Sequence, residues 1–217
     1  MSRFDQEATL NVAPILIGEW GVPTFDTTDS LMTGPLGQLN YQEFYIRTAE
    51  IFDSMGVGSI KAWFSGNRTK QNFLSGGPST WAIFSDANAV GTVERKYITD
   101  IIARPYPQVI AGDIKKFKFD FPTRSLSISL DSENRKGISK IFIGANRHYP
   151  DGFTIICNDN IVLFHNPLNS NGLEVIKSHH NCSPTDFIWN EALQQLVILK
   201  WPINNAPIHM KIVPGLQ

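Results

Sequence analysis

Charge is scarce in this chain: only 18% of its 217 residues are Asp, Glu, Lys or Arg. The 19 basic and 20 acidic residues nearly cancel, leaving a formal charge of -1, and neither sign is clustered along the sequence. A nucleic-acid partner is therefore not expected, because a sequence-independent grip on phosphates needs a concentrated basic footprint. Long apolar runs are missing too. None approaches the roughly 20 residues that cross a bilayer as a helix, and the first residues lack a charged segment followed by an apolar secretory core. Cysteine is limited to Cys157 and Cys182. The pair fits no zinc-site spacing, so no metal and no cofactor are expected. A disulfide in an oxidising compartment and two buried thiols both remain open.

What is present divides into two halves that change character near Arg104 to Gly112. In the first half, the apolar Ile15-Leu16-Ile17 between Pro14 and Gly21 reads as a short strand buried on both faces of a parallel sheet, with Glu19 at its C-terminal tip. A loop from Val22 to Gln38 follows. Tyr41, Phe44, Tyr45, Thr48, Ile51, Phe52 and Met55 then recur at helical spacing, with Asn40 as expected N-cap and Gly56 and Gly58 as the stop. Tyr41 and Tyr45 are expected in the core. Ser59 to Phe64 reads as a second strand ending in Trp63, and Thr92 to Ala103 as a second amphipathic helix.

Beyond Gly112 the period changes to two. Phe117, Phe119 and Phe121 share one face of a strand, and Leu126, Ile128 and Leu130 share one face of the next. Further strands are expected at 138–143, 153–157, 161–164, 173–176, 196–201 and 208–213. Asp, Asn, Gly and Pro clusters separate them at close intervals, the pattern of an antiparallel sandwich rather than of βαβ units.

An acidic residue between glycines after a buried strand stands where barrel enzymes place their chemistry. Alone, Gly18-Glu19-Trp20-Gly21 would be an ordinary loop start. In company it says more. Pro14 to Gly21 resembles the seventh-strand motif of glycoside hydrolase family 5, in which the glutamate is the nucleophile. Lys61-Ala62-Trp63-Phe64 resembles the eighth strand, whose tryptophan forms a platform under the sugar. Arg104 to Gly112 (RPYPQVIAG) is similar to the junction by which endoglycoceramidase-like members enter a C-terminal sandwich, and His148 to Phe153 (HYPDGF) resembles a motif inside that domain.

The resemblance implies an α/β plus all-β chain: a partial (β/α)8 barrel, its last two βα units in residues 1–105, followed by an antiparallel β-sandwich in 106–217. It implies a retaining glycosidase acting on glycosphingolipids, of endoglycoceramidase or glucosylceramidase type, with Glu19 as nucleophile and Trp63 as substrate-binding platform. It also implies an exported or lysosomal setting for the intact protein, in which pairing of Cys157 with Cys182 becomes more attractive. The family's acid/base glutamate belongs to an Asn-Glu-Pro motif that is absent here, since Asn190-Glu191 is followed by Ala192. A whole barrel needs about 250 residues, so the chain alone is expected to be inactive and the missing barrel half becomes a candidate partner, beside the glycolipid and a membrane surface.

A second reading makes the sandwich a non-catalytic glycan- or membrane-binding module attached to a barrel remnant, with Phe187, Trp189 and Trp201 as candidate contact residues. A catalytically dead scaffold is the third. Trp81 is expected to pack the barrel rim. Asp26 and Asp29 are read as turn residues, and the five histidines as hydrogen-bonded or solvated groups.

Overall fold

The computed structural model describes residues 16–22, 35–61, 83–88, 91–131, 137–158, 161–168, 172–178, 183–201 and 207–215. Trp63, Trp81, Asp26, Asp29, His179, His180 and Cys182 lie outside the described residues. The chain forms two compact units, Met1–Ile102 and Ala103–Gln217.

In the first unit, β1 (Leu16–Trp20), α1 (Pro35–Met55) and β2 (Gly58–Lys61) make a βαβ unit with the two strands parallel. Helix α1 extends a turn upstream of the expected start, so Asn40 is an interior residue and not its N-cap. Its end is as the glycine suggests. Gly56 takes a φ of 64°, and the amides of Gly56 and Val57 return to the carbonyls of Asp53 and Phe52. This Schellman arrangement satisfies the last carbonyls at the one position where a left-handed residue is needed. Tyr41, Tyr45 and Ala49, spaced by four, form the buried stripe of α1, with both tyrosines in the core as expected.

The expected second helix is shorter than its periodicity suggests. Residues 91–94 pair instead with Phe84–Asn88 as an antiparallel hairpin, β3 (Phe84–Asn88) and β4 (Gly91–Glu94), and α2 spans only Lys96–Ile102. Gly91, Thr92 and Val93 are poor helix formers, so strand pairing wins over a helical start.

The second unit is an antiparallel β-sandwich. One sheet has six strands in the order β11-β10-β9-β14-β7-β6 and the other four, β12-β13-β8-β5. In chain order these are β5 (Tyr106–Val109), β6 (Ile114–Asp120), β7 (Ser125–Leu130), β8 (Ser139–Phe142), β9 (Phe153–Cys157), β10 (Ile161–His165), β11 (Leu173–Ser178), β12 (Phe187–Asn190), β13 (Gln195–Ile198) and β14 (Ile208–Pro214). A one-turn helix, α3 (Ala145–His148), links β8 to β9. Leu126, Ile128, Leu130, Ile155, Leu163, Met210 and Ile212 of the larger sheet share one apolar cluster with Ile141, Phe187, Leu196 and Ile198 of the smaller. Period-two alternation thus becomes a dry layer between two sheets. The polar-flanked β12 carried too few alternating apolar positions to be expected as a strand. Its pairing with β13 is what defines it.

Trp201 and Phe187 are buried, which removes them as contact residues of a binding face. The physical reason is orientation: Phe187 pairs with Ile198 on the inward face, and the Trp201 indole Nε1 donates to Ser139 Oγ at 2.8 Å inside the core. Ser139 Oγ also accepts the amide of Ala111 at 2.8 Å, so one buried hydroxyl satisfies two donors.

The HYPDGF segment is structural. His148 Nε2 and the Ala103 carbonyl lie 3.0 Å apart. The Tyr149 hydroxyl donates to the Arg124 carbonyl at 2.8 Å, and burial pushes its phenol above the ordinary range. Gly152 has a φ of 92°, and a Cβ built there would lie 2.2 Å from the backbone oxygen of His165. No side chain fits at that crossing.

Candidate functional site

The candidate nucleophile is set by the β1–β2 pair. Leu16 pairs with Gly58, Ile17 with Ser59 and Trp20 with Lys61, and the register shifts between Ile17 and Trp20. Three steps on β1 therefore match two on β2, a bulge that falls at Gly18-Glu19. Paired residues share a face, so Ile17, Trp20 and Ser59 lie on one side and Leu16 and Ile60 on the other.

The first of these sides is covered by α1. Trp20 is buried, its ring 5.3 Å from those of both Tyr45 and Phe52. Burial pushes the Tyr45 phenol up to about 12, partly offset by the backbone at Val22. These contacts anchor Trp20, and strand alternation assigns its neighbour Glu19 to the other face, that of Leu16 and Ile60. That face is open: Leu16 is 60% and Ile60 52% exposed, and Glu19 is exposed with them. The expectation of a strand buried on both faces is corrected accordingly. Burial reaches β1 from the helix side alone among the described residues.

A bulge at the tip of a parallel strand re-aims a side chain, and bulges recur beside active sites for that reason. With its tryptophan clamped behind it, a carboxylate on the helix-free face of a βαβ sheet occupies the side that faces the axis when such units close into a barrel. The arrangement can present one carboxylate oxygen to a substrate carbon. Trp63 lies two residues past the end of β2 in sequence and outside the described residues.

Glu191 is the carboxylate of the Asn-Glu-Ala sequence set aside above, and it belongs to the second unit. It accepts the Trp189 indole N–H at 2.5 Å and the Gln194 amide at 2.9 Å. Those bonds, with the Trp189 one foremost, hold its carboxyl below the usual range. Its other neighbour is His165, with Nε2 3.5 Å from Glu191 Oε2. His165 is buried, stacks on Phe153 at 4.7 Å and meets Trp189 at 4.9 Å. Burial pulls this imidazole below its ordinary value, against the opposing pull of Glu191. Its Nδ1 lacks a hydrogen-bond partner among the described residues. The expectation of a hydrogen-bonded or solvated histidine thus fails for half of this ring, and nothing in the apolar run Ile161 to Phe164 that precedes it signals this. No group of three or more His, Cys, Asp or Glu positioned to hold a metal occurs among the described residues.

The first unit, not the sandwich, therefore carries the candidate chemistry, and comparison with known proteins addresses both. No curated protein matches the chain. Among solved structures, Cryptococcus neoformans sterylglucosidase 1 with hit 1 superposes with a TM-score of 0.62 at 12% identity, covering 97% of this chain and 30% of that one. The same enzyme with hit 9 gives 0.59 at 12% identity, with 97% and 31% covered. At such identity the likeness is one of fold, and this chain spans about a third of the length of those structures. Residues 104–202 match the family described as the glycoside hydrolase family 5 C-terminal domain. Over that stretch the chain is similar to the C-terminal domain of glycoside hydrolase family 5.

Proposed function

We propose that the chain contributes the nucleophilic side of a retaining glycosidase active site, with Glu19 as nucleophile and Trp63 as the platform under the sugar. The observation that carries this reading is the bulged tip of β1. Strand alternation there sets Glu19 opposite Trp20, which is fixed against Tyr45 and Phe52. A Glu19 carboxylate oxygen would attack the anomeric carbon as the bond to the leaving oxygen breaks, giving a glycosyl ester on Glu19. A second carboxyl group, about 5–5.5 Å away in retaining enzymes, would protonate that oxygen and then take a proton from the water that cleaves the ester.

That second group is the glutamate of an Asn-Glu-Pro motif in the resembling family, and this chain has no such motif. The acid/base residue would come from the remaining strand–helix units of a barrel, whose wall would cover Leu16 and Ile60. The substrate class is a glycosylated lipid: a glycosphingolipid by the resemblance around Glu19, with a steryl glucoside as the option that the sterylglucosidase neighbours add. Both join a sugar to a largely apolar alcohol, so one mechanism serves either. The binding-module reading is weaker, since two of its three aromatics are in the core.

The test is trapping. With this chain assembled into a complete barrel, a 2-deoxy-2-fluoro glucoside bearing a good leaving group should esterify Glu19, identified by peptide mass spectrometry. Glu19→Gln should abolish both the label and turnover of fluorescent glucosylceramide and steryl glucoside. A label on another residue overturns the assignment. Without an acid/base partner the chain alone should not hydrolyse either lipid, because the leaving alkoxide is unprotonated.

A further inference from the structure

The outward face of the six-stranded sheet collects basic side chains that the sequence keeps apart. Pairing of β6 with β7 sets Lys116 opposite Ser129 and Lys118 opposite Ser127. Pairing of β14 with β7 sets His209 opposite the same Ser129 and Lys211 opposite the same Ser127. Two parallel rows result, Lys116–Ser129–His209 and Lys118–Ser127–Lys211. Inward burial of Phe119, Leu126, Ile128, Leu130, Ile208, Met210 and Ile212 fixes all six on the outer surface. The four basic residues are exposed. Strand spacing puts them at the corners of a rectangle about 7 Å by about 10 Å, with the two serines as its floor.

Nearby groups tune the rectangle without cancelling it. Ser129 Oγ lies 3.0 Å from His209 Nδ1, which holds that ring over the sheet. Lys118 Nζ lies 3.6 Å from Asp120 at one end of the face, where the Asp120 carboxylate also accepts the Thr123 hydroxyl and amide. Lys115 and Asp131 form an ion pair of 2.8 Å at the other end. On the far side of Lys211 the same face turns apolar, because Ile156 pairs with Lys211 and Val162 with Ile156. Both are half-buried.

We propose that this face docks the protein on an anionic lipid surface. Openness argues for it: basic side chains on β6 and β14, with the two serines of β7 between them, can meet several headgroups of a bilayer at once rather than enclose a single phosphate. The arrangement of basic corners beside an apolar strip matches an interface with charge outside and hydrocarbon beneath. Three lysines and a histidine are too few, on a chain of charge -1, for the extended track that a nucleic acid requires. The proposal is independent of the role of Glu19. Its benefit to a lipid-cleaving enzyme would be to hold the catalyst where its substrate lies.

The experiment is flotation of the full chain with phosphatidylcholine vesicles, with and without phosphatidylserine. Binding is expected only to the vesicles with phosphatidylserine, and raising salt from about 0.05 M to about 0.5 M should release it, since the Debye length shrinks several-fold. The triple variant Lys116→Gln/Lys118→Gln/Lys211→Gln should bind on the order of a hundredfold more weakly. Lys140→Gln, on the other sheet, should bind as the parent does. Because the three lysines are exposed, circular dichroism should show the triple variant folded; if it is not, the salt titration of the parent decides. Equal binding to both vesicle types, salt-insensitive binding, unchanged binding by a folded triple variant, or competition by millimolar inorganic phosphate would each overturn the proposal, the last in favour of a free-phosphate site.

Discussion

Apolar strands occur in both units, yet they meet different fates. On β7 of the sandwich, Leu126, Ile128 and Leu130 are shut away from solvent by the facing sheet. On β1 and β2, Leu16 and Ile60 are more than half exposed although their strands are correctly paired and backed by α1. Pairing and hydrophobicity are alike in the two places; the second covering layer is what differs. Burial of a sheet face is therefore a property of the layer stack rather than of the strand. The sandwich closes its own layers, whereas the βαβ unit leaves the face that bears Glu19 open. A face left open is also a face available to a substrate or to further barrel strands.

This contrast can be broken by substitution, most severely at Gly152. A methyl group there would collide with the His165 backbone oxygen at 2.2 Å from a left-handed position, so Gly152→Ala is expected to cost more than about 4 kcal/mol. A urea titration that finds the variant within about 1 kcal/mol of the parent would deny that the HYPDGF crossing is close-packed. Next in size is Ser139→Ala. It strands the Ala111 amide and the Trp201 indole N–H together, at about 1–3 kcal/mol for each unsatisfied donor. Trp201→Phe should recover part of that loss in the double variant, which a thermodynamic cycle would measure.

A smaller effect separates the units by pH. His165 is held below its ordinary value by burial, so the unfolded chain takes up the proton first. The stability it contributes is full above the ordinary histidine value of about 6.5 and falls as pH drops from there to the depressed folded value. Glu191, also held low, adds a second loss as pH falls through its own folded value. His165→Phe should flatten the first of these slopes in a pH series of urea midpoints while leaving the second. The smallest effect is expected in the open sheet. Leu16→Ser and Glu19→Gln should each change stability of this chain by no more than about 0.5 kcal/mol, because exposed sites lose little on substitution. A large loss at Leu16 would show that its face is covered.

Much of the sandwich was legible in advance because period-two alternation is a local signal. The strands expected at 153–157, 161–164, 173–176 and 208–213 appear within a residue or two of those positions. Helix α1 was legible by its apolar spacing and its stop by Gly56, but its first turn and the β3–β4 hairpin were not. Gly91 to Glu94 has no periodicity of its own and is a strand only because Phe84–Asn88 lies beside it. For the site, Gly18-Glu19-Trp20-Gly21 was conspicuous, while the bulge that puts Trp20 on the face of Ile17 depends on the register with β2.

By itself the sequence determined most of the sandwich strands, where α1 stops and which carboxylate is the candidate nucleophile, because each rests on residues close along the chain. Only the tertiary structure decided which faces are covered and which charges become neighbours. Lys116 and Lys211 are separated by most of the second unit in sequence and by two strand spacings in space. The reason is that a β-sheet converts hydrogen-bond register, a long-range property, into lateral position, and no local pattern encodes that.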